Sequence, residues 1–289
     1  MHEILPGQSV ALLKALHILT RDGKMNQDSR RKLKQVNHLV QFIEPLLLEV
    51  LQEQAALSLV DHGAGKSYLG FLLYDLFFKM RNDASHIYGI ESRPELVQKS
   101  IQLAAELQFL RMTFLNLSVA QATISDQLPS KVDVVTALHA CDTATDDAID
   151  FALRRQARFI VLIPCCQAEV ASVLKKNKSV VSRAEPLSEL WRHPLHTREF
   201  GSQVTNVLRC LQLEAHGYQV SVTELVGWEH SMKNELIIAR QSQPPRKAPA
   251  KRLHEVLEKL GLQEMENRFY APSSLTINER VLAGEHHVS

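Results

Sequence analysis

The sequence lacks the features that mark membrane and secreted proteins. None of its apolar runs reaches the roughly 18 residues needed to cross a bilayer. Its first residues, MHEILPGQSVALLK, do not show the basic and then apolar pattern of a signal peptide. Four cysteines among 289 residues, two of them adjacent, make a poor disulfide framework. We therefore expect a cytoplasmic protein without membrane contact, whose cysteines are thiols.

Neither sign of charge is in excess, because 33 basic residues face 32 acidic residues. A formal net charge of +1 excludes a global electrostatic attraction to nucleic acid, so any such binding requires a local patch. Two basic segments are present: RDGKMNQDSRRKLK at residues 21–34 and the proline-rich QSQPPRKAPAKR at residues 241–252. The first is a solvated face and the second a flexible linker, or both contact nucleic acid.

Aromatic residues make up only 6% of the chain, but 45% of the residues are hydrophobic, which is enough for a substantial core. Short runs typical of β-strands alternate with helical patterns. The first five strand candidates are ALSLVD (56–61), HIYGIE (86–91), RMTFLNL (111–117), VDVVTALH (132–139) and ARFIVLIP (157–164). This alternation predicts a doubly wound parallel sheet.

Two later strand candidates, YQVSVTELVGW and NELIIAR, follow one another without a helical pattern between them and predict a β-hairpin at the sheet edge. The expected fold class is therefore α/β, with a seven-stranded, doubly wound, Rossmann-like sheet. We expect a helical N-terminal extension over residues 1–54, the main domain over residues 55–240, and a basic linker with a C-terminal helical segment over residues 241–289.

The helix predicted after Pro94 has one apolar face. The residues assigned to that face are Leu96, Val97, Ile101, Leu103, Ala104, Leu107 and Leu110.

The loop after the first strand, DHGAGK at residues 61–66, has two glycines separated by one residue between a strand end and a helix start. Such a turn lets a ligand approach the backbone closely. A P-loop needs glycine where Val60 stands, and a dinucleotide fingerprint needs glycine or alanine where Tyr68 stands. Both of these interpretations are disfavoured.

An acid two residues before the first glycine, and a second acid, Glu91, at the end of the next strand, resemble the class I S-adenosylmethionine-dependent methyltransferases. The resemblance implies that the turn from Gly63 to Gly65 borders the methionine and ribose parts of S-adenosylmethionine. Glu91 would accept hydrogen bonds from both ribose hydroxyls, and Asp61 would orient the loop and help to hold the amino group. The cofactor-binding residues expected are Asp61, Gly63, Ala64, Gly65, Glu91, Ser118 and His139. His62 and Ser67 depart from the common loop, which has small or apolar residues at position 62 and often glycine at position 67.

Two further segments, LHACDTATD at residues 138–146 and PCC at residues 164–166, narrow the resemblance. The chain is similar to a methyltransferase family with D-x-G-A-G-K, L-H-A-C-x-T-x-T-D and P-C-C signatures and a basic helix upstream, whose relatives include tRNA methyltransferases. This similarity covers roughly residues 30–240. It implies an S-adenosylmethionine-dependent methyltransferase that acts on RNA, either tRNA or rRNA. A protein or small-molecule substrate stays open, as does the oligomeric state.

The acceptor pocket is expected where the fourth and fifth strands end. His139 is the candidate proton acceptor and Asp142 the second choice, because both follow the fourth strand. Cys165 is a candidate nucleophile toward carbon 6 of a pyrimidine. A structural role in which the cysteines only pack the pocket is the alternative.

Other interpretations of these residues are weaker. Zinc held by His139, Cys141, Cys165 and Cys166 is disfavoured because adjacent cysteines chelate one metal awkwardly, so we assign no metal. Thr143 and Asp146 have the spacing of a helix capping box. A non-catalytic binding module is opposed by the intact donor loop, and a thiol redox protein by the missing C-x-x-C motif.

Overall fold

Seven strands form one sheet in the order β3-β2-β1-β4-β5-β7-β6. The computed structural model describes residues 4–81, 83–138, 143–164, 168–177, 189–190, 192–225 and 235–272. The strands are β1 (Ser58–His62), β2 (His86–Glu91), β3 (Met112–Asn116), β4 (Val134–Leu138), β5 (Phe159–Ile163), β6 (Tyr218–Glu224) and β7 (Glu235–Gln241). β1 runs parallel to β2 and β4, β2 to β3, and β4 to β5. The expected α/β fold class is confirmed, including the two consecutive strands at the end of the sheet.

Helices connect and cover these strands. They are α1 (Val10–Ala15), α2 (Gln27–Glu53), α3 (Tyr68–Leu73) with a π-helical continuation (Tyr74–Phe78), α4 (Pro94–Glu106), α5 (Val119–Ile124), α6 (Thr143–Arg154), α7 (Glu169–Lys176), α8 (Pro194–Ala215) and α9 (Lys247–Lys259), followed by a 3-10 turn (Gln263–Met265). Among the residues that the structure describes, none of the helices combines the length and apolar character that a membrane span requires.

The chain divides into two compact units. The first is built from residues within 1–140, 147–165 and 222–238, and the second from residues within 141–146, 166–221 and 239–289. The first unit contains β1 to β5 and the helices α1 to α4, whose apolar side chains share one core. In the second unit the apolar faces of α7, α8 and α9 pack together. Helix α9 begins at Lys247, inside the segment whose composition favours a linker.

Two hydrogen bonds tie the N-terminal helices to the helix that follows the candidate ligand loop. The Ser9 amide, which precedes α1, donates to the Asp75 carboxylate at 2.6 Å. The Tyr68 hydroxyl, at the start of α3, donates to the carbonyl oxygen of Leu16 at 2.9 Å. The N-terminal extension therefore packs beside the segment that begins with the glycine turn.

The buried face of α4 is narrower than the sequence pattern predicts. Val97, Ser100 and Ala104 are buried, whereas Ile101 is 43% exposed and Leu110 is 85% exposed. The helix ends at Glu106, and the chain then turns away, so Leu110 does not continue the helical face. Of the predicted apolar face, Ile101 and Leu110 are therefore exposed.

Gly89 is a position in β2 where a side chain would disturb the sheet next to the ligand loop. It lies opposite Asp61 in β1 and Phe114 in β3. A Cβ atom there would lie 2.6 Å from Phe114 Cδ1 and 3.6 Å from Ala64 Cβ. The Phe114 ring is itself held against the ring of Phe71, with 5.4 Å between centroids.

We therefore expect Gly89→Ala to lower the free energy of unfolding by about 1 to 3 kcal/mol, the usual effect of overpacking a core. Urea unfolding followed by circular dichroism measures the change. An unchanged midpoint would show that the Phe114 ring can move aside without loss of packing.

Candidate functional site

The candidate site lies at the carboxyl end of β1, where the strand order reverses between β2 and β4. Ligands of open α/β sheets bind at such a reversal. The loop there is held by its own backbone: the Ala64 amide donates to the Ile90 carbonyl at 2.9 Å, and the Ser67 amide donates to the Ala64 carbonyl at 2.6 Å. The loop from β1 is therefore fixed against the end of β2.

Glycine is required twice in this loop by backbone conformation. Gly63 has a φ of 67° and Gly65 a φ of 58°, both in the left-handed region that side chains disfavour. A Cβ on Gly65 would lie 3.8 Å from Arg93 Nη2 and 4.0 Å from Glu91 Oε2, so space alone does not exclude it. Conformation, more than crowding, accounts for the glycine at position 65.

Glu91 joins the end of β2 to this turn through its carboxylate. Oε2 accepts the Gly65 amide at 2.8 Å and Arg93 Nη2 at 3.1 Å, while Oε1 accepts the Arg93 amide and Nε, each at 3.0 Å. Burial by itself raises the pKa of Glu91, but the hydrogen bonds and charge of Arg93, with the Gly65 amide, hold that pKa below its usual value. The side chain is therefore a carboxylate at neutral pH.

Asp61 is buried and faces groups inside the protein. Its Oδ1 accepts the Thr136 hydroxyl at 2.9 Å, and its Oδ2 lies 3.5 Å from the Ser67 hydroxyl. Burial raises the pKa of Asp61 to about 6, although the hydrogen bonds from Thr136 and Ser67 act in the opposite direction. These contacts join β1, β4 and the start of α3, so Asp61 anchors the loop.

Gly70, in α3, is a tightly packed position that the sequence pattern did not identify. A Cβ there would lie 2.5 Å from Ser67 Oγ and 3.7 Å from Asp61 Oδ2. Helix α3 therefore approaches β1 closely at Gly70. A dinucleotide fingerprint would place the glycine for this close approach at position 68, which is Tyr68 here. In the sequence, this position could have been recognised as the third glycine after the first strand.

His62, the other departure in the loop, is a buried polar side chain next to an aromatic ring. Its exposed fraction is 2%, and its ring centroid lies 5.7 Å from that of Phe151. Neither ring nitrogen has a hydrogen-bond partner among the described residues. Burial lowers the pKa of His62 to about 4, with the negative charge of Glu91 opposing the shift. The imidazole is therefore neutral at pH 7.

Ser118, also expected at the cofactor site, caps a helix. Its hydroxyl accepts the Gln121 amide at 3.4 Å, and its own amide donates to Gln121 Oε1 at 2.8 Å, which together form a capping box at the start of α5. The neighbouring Asn116 was not predicted, although its side-chain amide donates to the Glu91 carbonyl at 3.0 Å and ties the ends of β2 and β3 together.

The candidate acceptor residues lie outside the described residues. They are His139, Cys141, Asp142, Cys165 and Cys166. The described chain resumes at Thr143, which is the first residue of α6. A capping box with Thr143 as the N-cap would require it to precede the helix. Asp146 binds the buried Arg209, whose Nε donates to its Oδ1 at 2.5 Å.

A groove of about 300 Å³ lies in the first unit, beside the residue that follows Gly65. It is lined by Ala15, Leu16, His17, Lys66, Phe71, Leu96, Lys99, Ser100, Gln102, Leu103 and Glu106. Lys66 and Lys99 are exposed, and in the described part of the chain neither forms an ion pair. The groove thus combines apolar side chains with two lysines and one glutamate.

The fold and the loop define the class of protein. A seven-stranded sheet in this order, with a glycine turn after β1 and an acid at the end of β2, is the Rossmann-like methyltransferase fold. Residues 31–173, just under half of the chain, match the sequence model of a family described as a methyltransferase domain. The match indicates S-adenosylmethionine as the cofactor of this domain.

The curated proteins to which the chain is similar are named after a glutathione S-transferase C-terminal domain. The chain is 24% identical over 243 residues to the "Glutathione S-transferase C-terminal domain-containing protein" of Bos taurus, covering 75% of this chain and 34% of that protein. Proteins of the same name in other vertebrates match similarly, so the chain spans about a third of the length of the curated relatives it matches.

Two solved structures of methyltransferases also match. An rRNA methylase from Streptococcus thermophilus superposes with a TM-score of 0.45 and 10% identity, covering 71% of this chain and 96% of that one. Magnesium protoporphyrin IX methyltransferase from Synechocystis PCC 6803 superposes with a TM-score of 0.44 and 17% identity, covering 81% and 96% of the two chains.

The raised pKa of Asp61 predicts a specific pH dependence of stability. A carboxyl whose pKa is about 6 in the folded state and 3.8 otherwise stabilises the fold fully below pH 3.8, and this contribution is lost as the pH rises through 6. Asp61→Asn does not titrate. We expect the stability of the variant relative to the wild type to increase by on the order of 3 kcal/mol between pH 4 and pH 7. Urea unfolding at several pH values measures this difference, and parallel curves for the two proteins would contradict it.

Proposed function

We propose that this protein is an S-adenosylmethionine-dependent methyltransferase whose substrate is RNA, with tRNA and rRNA as the classes that the sequence resemblance implies. The observation that carries the proposal is the Gly63–Gly65 turn, fixed to the Glu91 carboxylate at the reversal point of the sheet. The match of residues 31–173 to a methyltransferase domain supports the same activity.

The residues of the loop fit a methyl donor of this kind. The left-handed glycines leave the backbone uncovered where Gly65 faces Glu91, so a ligand can lie close to it. When bound, S-adenosylmethionine supplies an electrophilic methyl group on a sulfonium. Glu91 would hold the ribose hydroxyls, the turn from Gly63 through Ala64 to Gly65 would border the donor, and Asp61 would keep the turn in position.

Arg93 must release Glu91 before the ribose can bind there. A carboxylate offers about four acceptor positions, and Glu91 already accepts hydrogen bonds from Arg93, from the Gly65 amide and, at 3.4 Å, from the Ser92 hydroxyl. The Arg93 side chain is 60% exposed, so its guanidinium can move into solvent. We propose that the ribose hydroxyls replace the guanidinium on Glu91.

Glu91→Ala should therefore weaken S-adenosylhomocysteine binding by about ten- to a hundredfold, because a bidentate, charge-assisted contact is lost. Isothermal titration calorimetry measures the affinity. Arg93→Ala is the matched control: it removes the competing group and should raise the affinity severalfold. Unchanged affinity in Glu91→Ala would mean that the ribose binds elsewhere, and an equal loss in Arg93→Ala would mean that Arg93 contacts the ligand itself.

The acceptor residues are proposed on the sequence alone. His139 follows Leu138, the last residue of β4, and Pro164 precedes Cys165 at the end of β5; Leu138 and Ile163 are paired in the sheet. We propose His139 as the acceptor of the substrate's proton, Asp142 as its alternative, and Cys165 as a residue of the same pocket. Methyl transfer from a sulfonium requires mainly that the two reactants be positioned and shielded from water.

Exposed cations of the first unit support RNA as the substrate. The first turns of α2 carry Arg30, Arg31, Lys32 and Lys34, all of them exposed. The Ser29 hydroxyl of the same turns donates to the His17 carbonyl at 3.4 Å, and His17 lines the groove that contains Lys66 and Lys99. The basic turns of α2 and the groove beside the donor loop are therefore neighbours, as binding of one phosphate backbone requires.

The salt dependence of RNA binding tests this surface. Each phosphate that a lysine or arginine neutralises adds about 0.7 to 0.9 to the slope of log affinity against log salt. Replacing Arg30, Arg31, Lys32 and Lys34 together by alanine should reduce the slope by up to about 3 and leave S-adenosylhomocysteine affinity unchanged.

The control removes the same charge from exposed basic residues of α7, α8 and α9. The variant replaces Lys175, Lys176, Arg198 and Lys259 by alanine and should keep the wild-type slope. Filter binding with total tRNA over a range of salt concentrations gives both slopes. If the wild type shows no salt-dependent affinity for tRNA or rRNA, a small-molecule or protein substrate replaces RNA in the proposal.

A further inference from the structure

Helix α4 leaves part of its predicted apolar face uncovered inside the first unit. Leu96 and Leu103 are only half-buried. They are seven residues apart in one helix, so they lie about 10 Å from each other along the same side of it. Both line the groove of about 300 Å³, together with Leu16 at the end of α1 and the buried Phe71 of α3. The groove is therefore an apolar slot that the described residues leave open.

Charged side chains occupy defined positions along this groove. Lys66 directly follows Gly65 of the donor turn, and Lys99 lies in the second turn of α4; both lysines are exposed. Glu106, the last residue of α4, lies about 10 Å further along the helix than Lys99. Its carboxylate accepts a hydrogen bond from Gln102 Nε2 at 2.8 Å. The groove thus has cations near the donor turn and a carboxylate beyond its apolar part.

This order of groups favours one kind of ligand. An anionic group is attracted by Lys66 and Lys99 and repelled by Glu106, so it would lie near the donor turn. A flat ring with N–H groups suits the rest of the groove, where leucine side chains offer apolar contact and a carboxylate accepts hydrogen bonds. A nucleotide has both parts, a phosphate and a base. A hydrocarbon chain has no N–H groups, so the carboxylate argues against a lipid.

We propose that the groove binds one unpaired nucleotide of the RNA substrate. Its base lies against Leu96 and Leu103, and its phosphate lies between Lys66 and Lys99. The assignment rests on the proposed function and extends it, because sequence-specific recognition of RNA commonly uses unstacked bases of single strands and loops. The neighbouring nucleotide of the RNA would then lie at the donor turn, where Lys66 follows Gly65.

The basic turns of α2 continue the path of the RNA backbone. They begin beside the groove, because the Ser29 hydroxyl donates to the carbonyl oxygen of His17, whose residue lines the groove. A base in the groove would therefore add to the phosphate contacts that the exposed cations of α2 provide. Phosphate contacts alone hold any RNA, whereas the groove requires a base that is free to leave its stack.

Two RNA probes separate the base from the phosphates. One is a short oligouridylate, and the other is its abasic counterpart with the same ribose-phosphate backbone. Fluorescence anisotropy at constant salt measures both affinities. The wild type should bind oligouridylate about tenfold or more tightly than the abasic probe. Leu103→Ser removes apolar contact with the base, so it should abolish most of this preference and leave the affinity for the abasic probe unchanged.

Three further variants serve as controls. Ile101→Ser makes a similar change on the same helix, at a residue that is 43% exposed and does not line the groove, and should alter neither affinity. Leu103→Met keeps an apolar side chain of similar size and should retain the preference. Replacing Lys66 and Lys99 together by alanine should weaken both probes alike and reduce the salt slope by about 1.4, since each phosphate contributes about 0.7 on a single strand.

The outcomes separate this inference from the proposed function. Equal wild-type affinity for the two probes, an equal loss of both in Leu103→Ser, or binding of tRNA without binding of oligouridylate would overturn the inference and leave RNA as the substrate. Binding of phosphatidylglycerol vesicles that depends on Leu103, in place of oligouridylate, would assign the groove to an acyl chain. If the wild type binds no RNA at all, the RNA substrate is overturned and the inference with it, while the donor titrations of Glu91→Ala still test the methyltransferase site.

Discussion

The hydrogen bond from the Gly65 amide to the Glu91 carboxylate is the interaction on which the candidate site depends. It connects the loop after β1 to the end of β2, within a turn whose two glycines, Gly63 and Gly65, have left-handed backbone. The same carboxylate binds Arg93, which holds its pKa low despite burial. One side chain thus orders the turn and presents a negative charge at the place where a ligand approaches.

Close packing at the end of β1 keeps this loop in place. Gly70 brings α3 against Ser67 and Asp61, and Gly89 leaves room for the Phe114 ring beside the loop. Neither position tolerates a Cβ without a shift of its neighbours, because the contacts would fall below 3.0 Å. The helix that begins after the loop is also bound to the N-terminal extension by the Tyr68 hydroxyl, so the groove beside Lys66 depends on the same packing.

Adjacent residues at this strand end respond to burial in opposite directions. Burial raises the pKa of Asp61 and lowers the pKa of His62, since it disfavours the charged form of each. Asp61 retains hydrogen bonds that stabilise its carboxylate, whereas His62 has none among the described residues. At neutral pH the pair therefore presents a mostly ionised acid that faces the protein and a neutral imidazole.

The sequence by itself determined the α/β class, the strand positions, the glycine turn and the acid at Glu91, because these follow from patterns within a few residues of one another. The roles of the polar side chains were decided by the tertiary structure. The Thr136 hydroxyl reaches Asp61, and the Gly65 amide reaches Glu91, because β1 pairs in register with β4 and β2. The burial of Val97 rather than Leu110 depends on where α4 ends and what packs against it. Contacts of this kind join residues distant in the chain, and local periodicity contains no information about which of them meet.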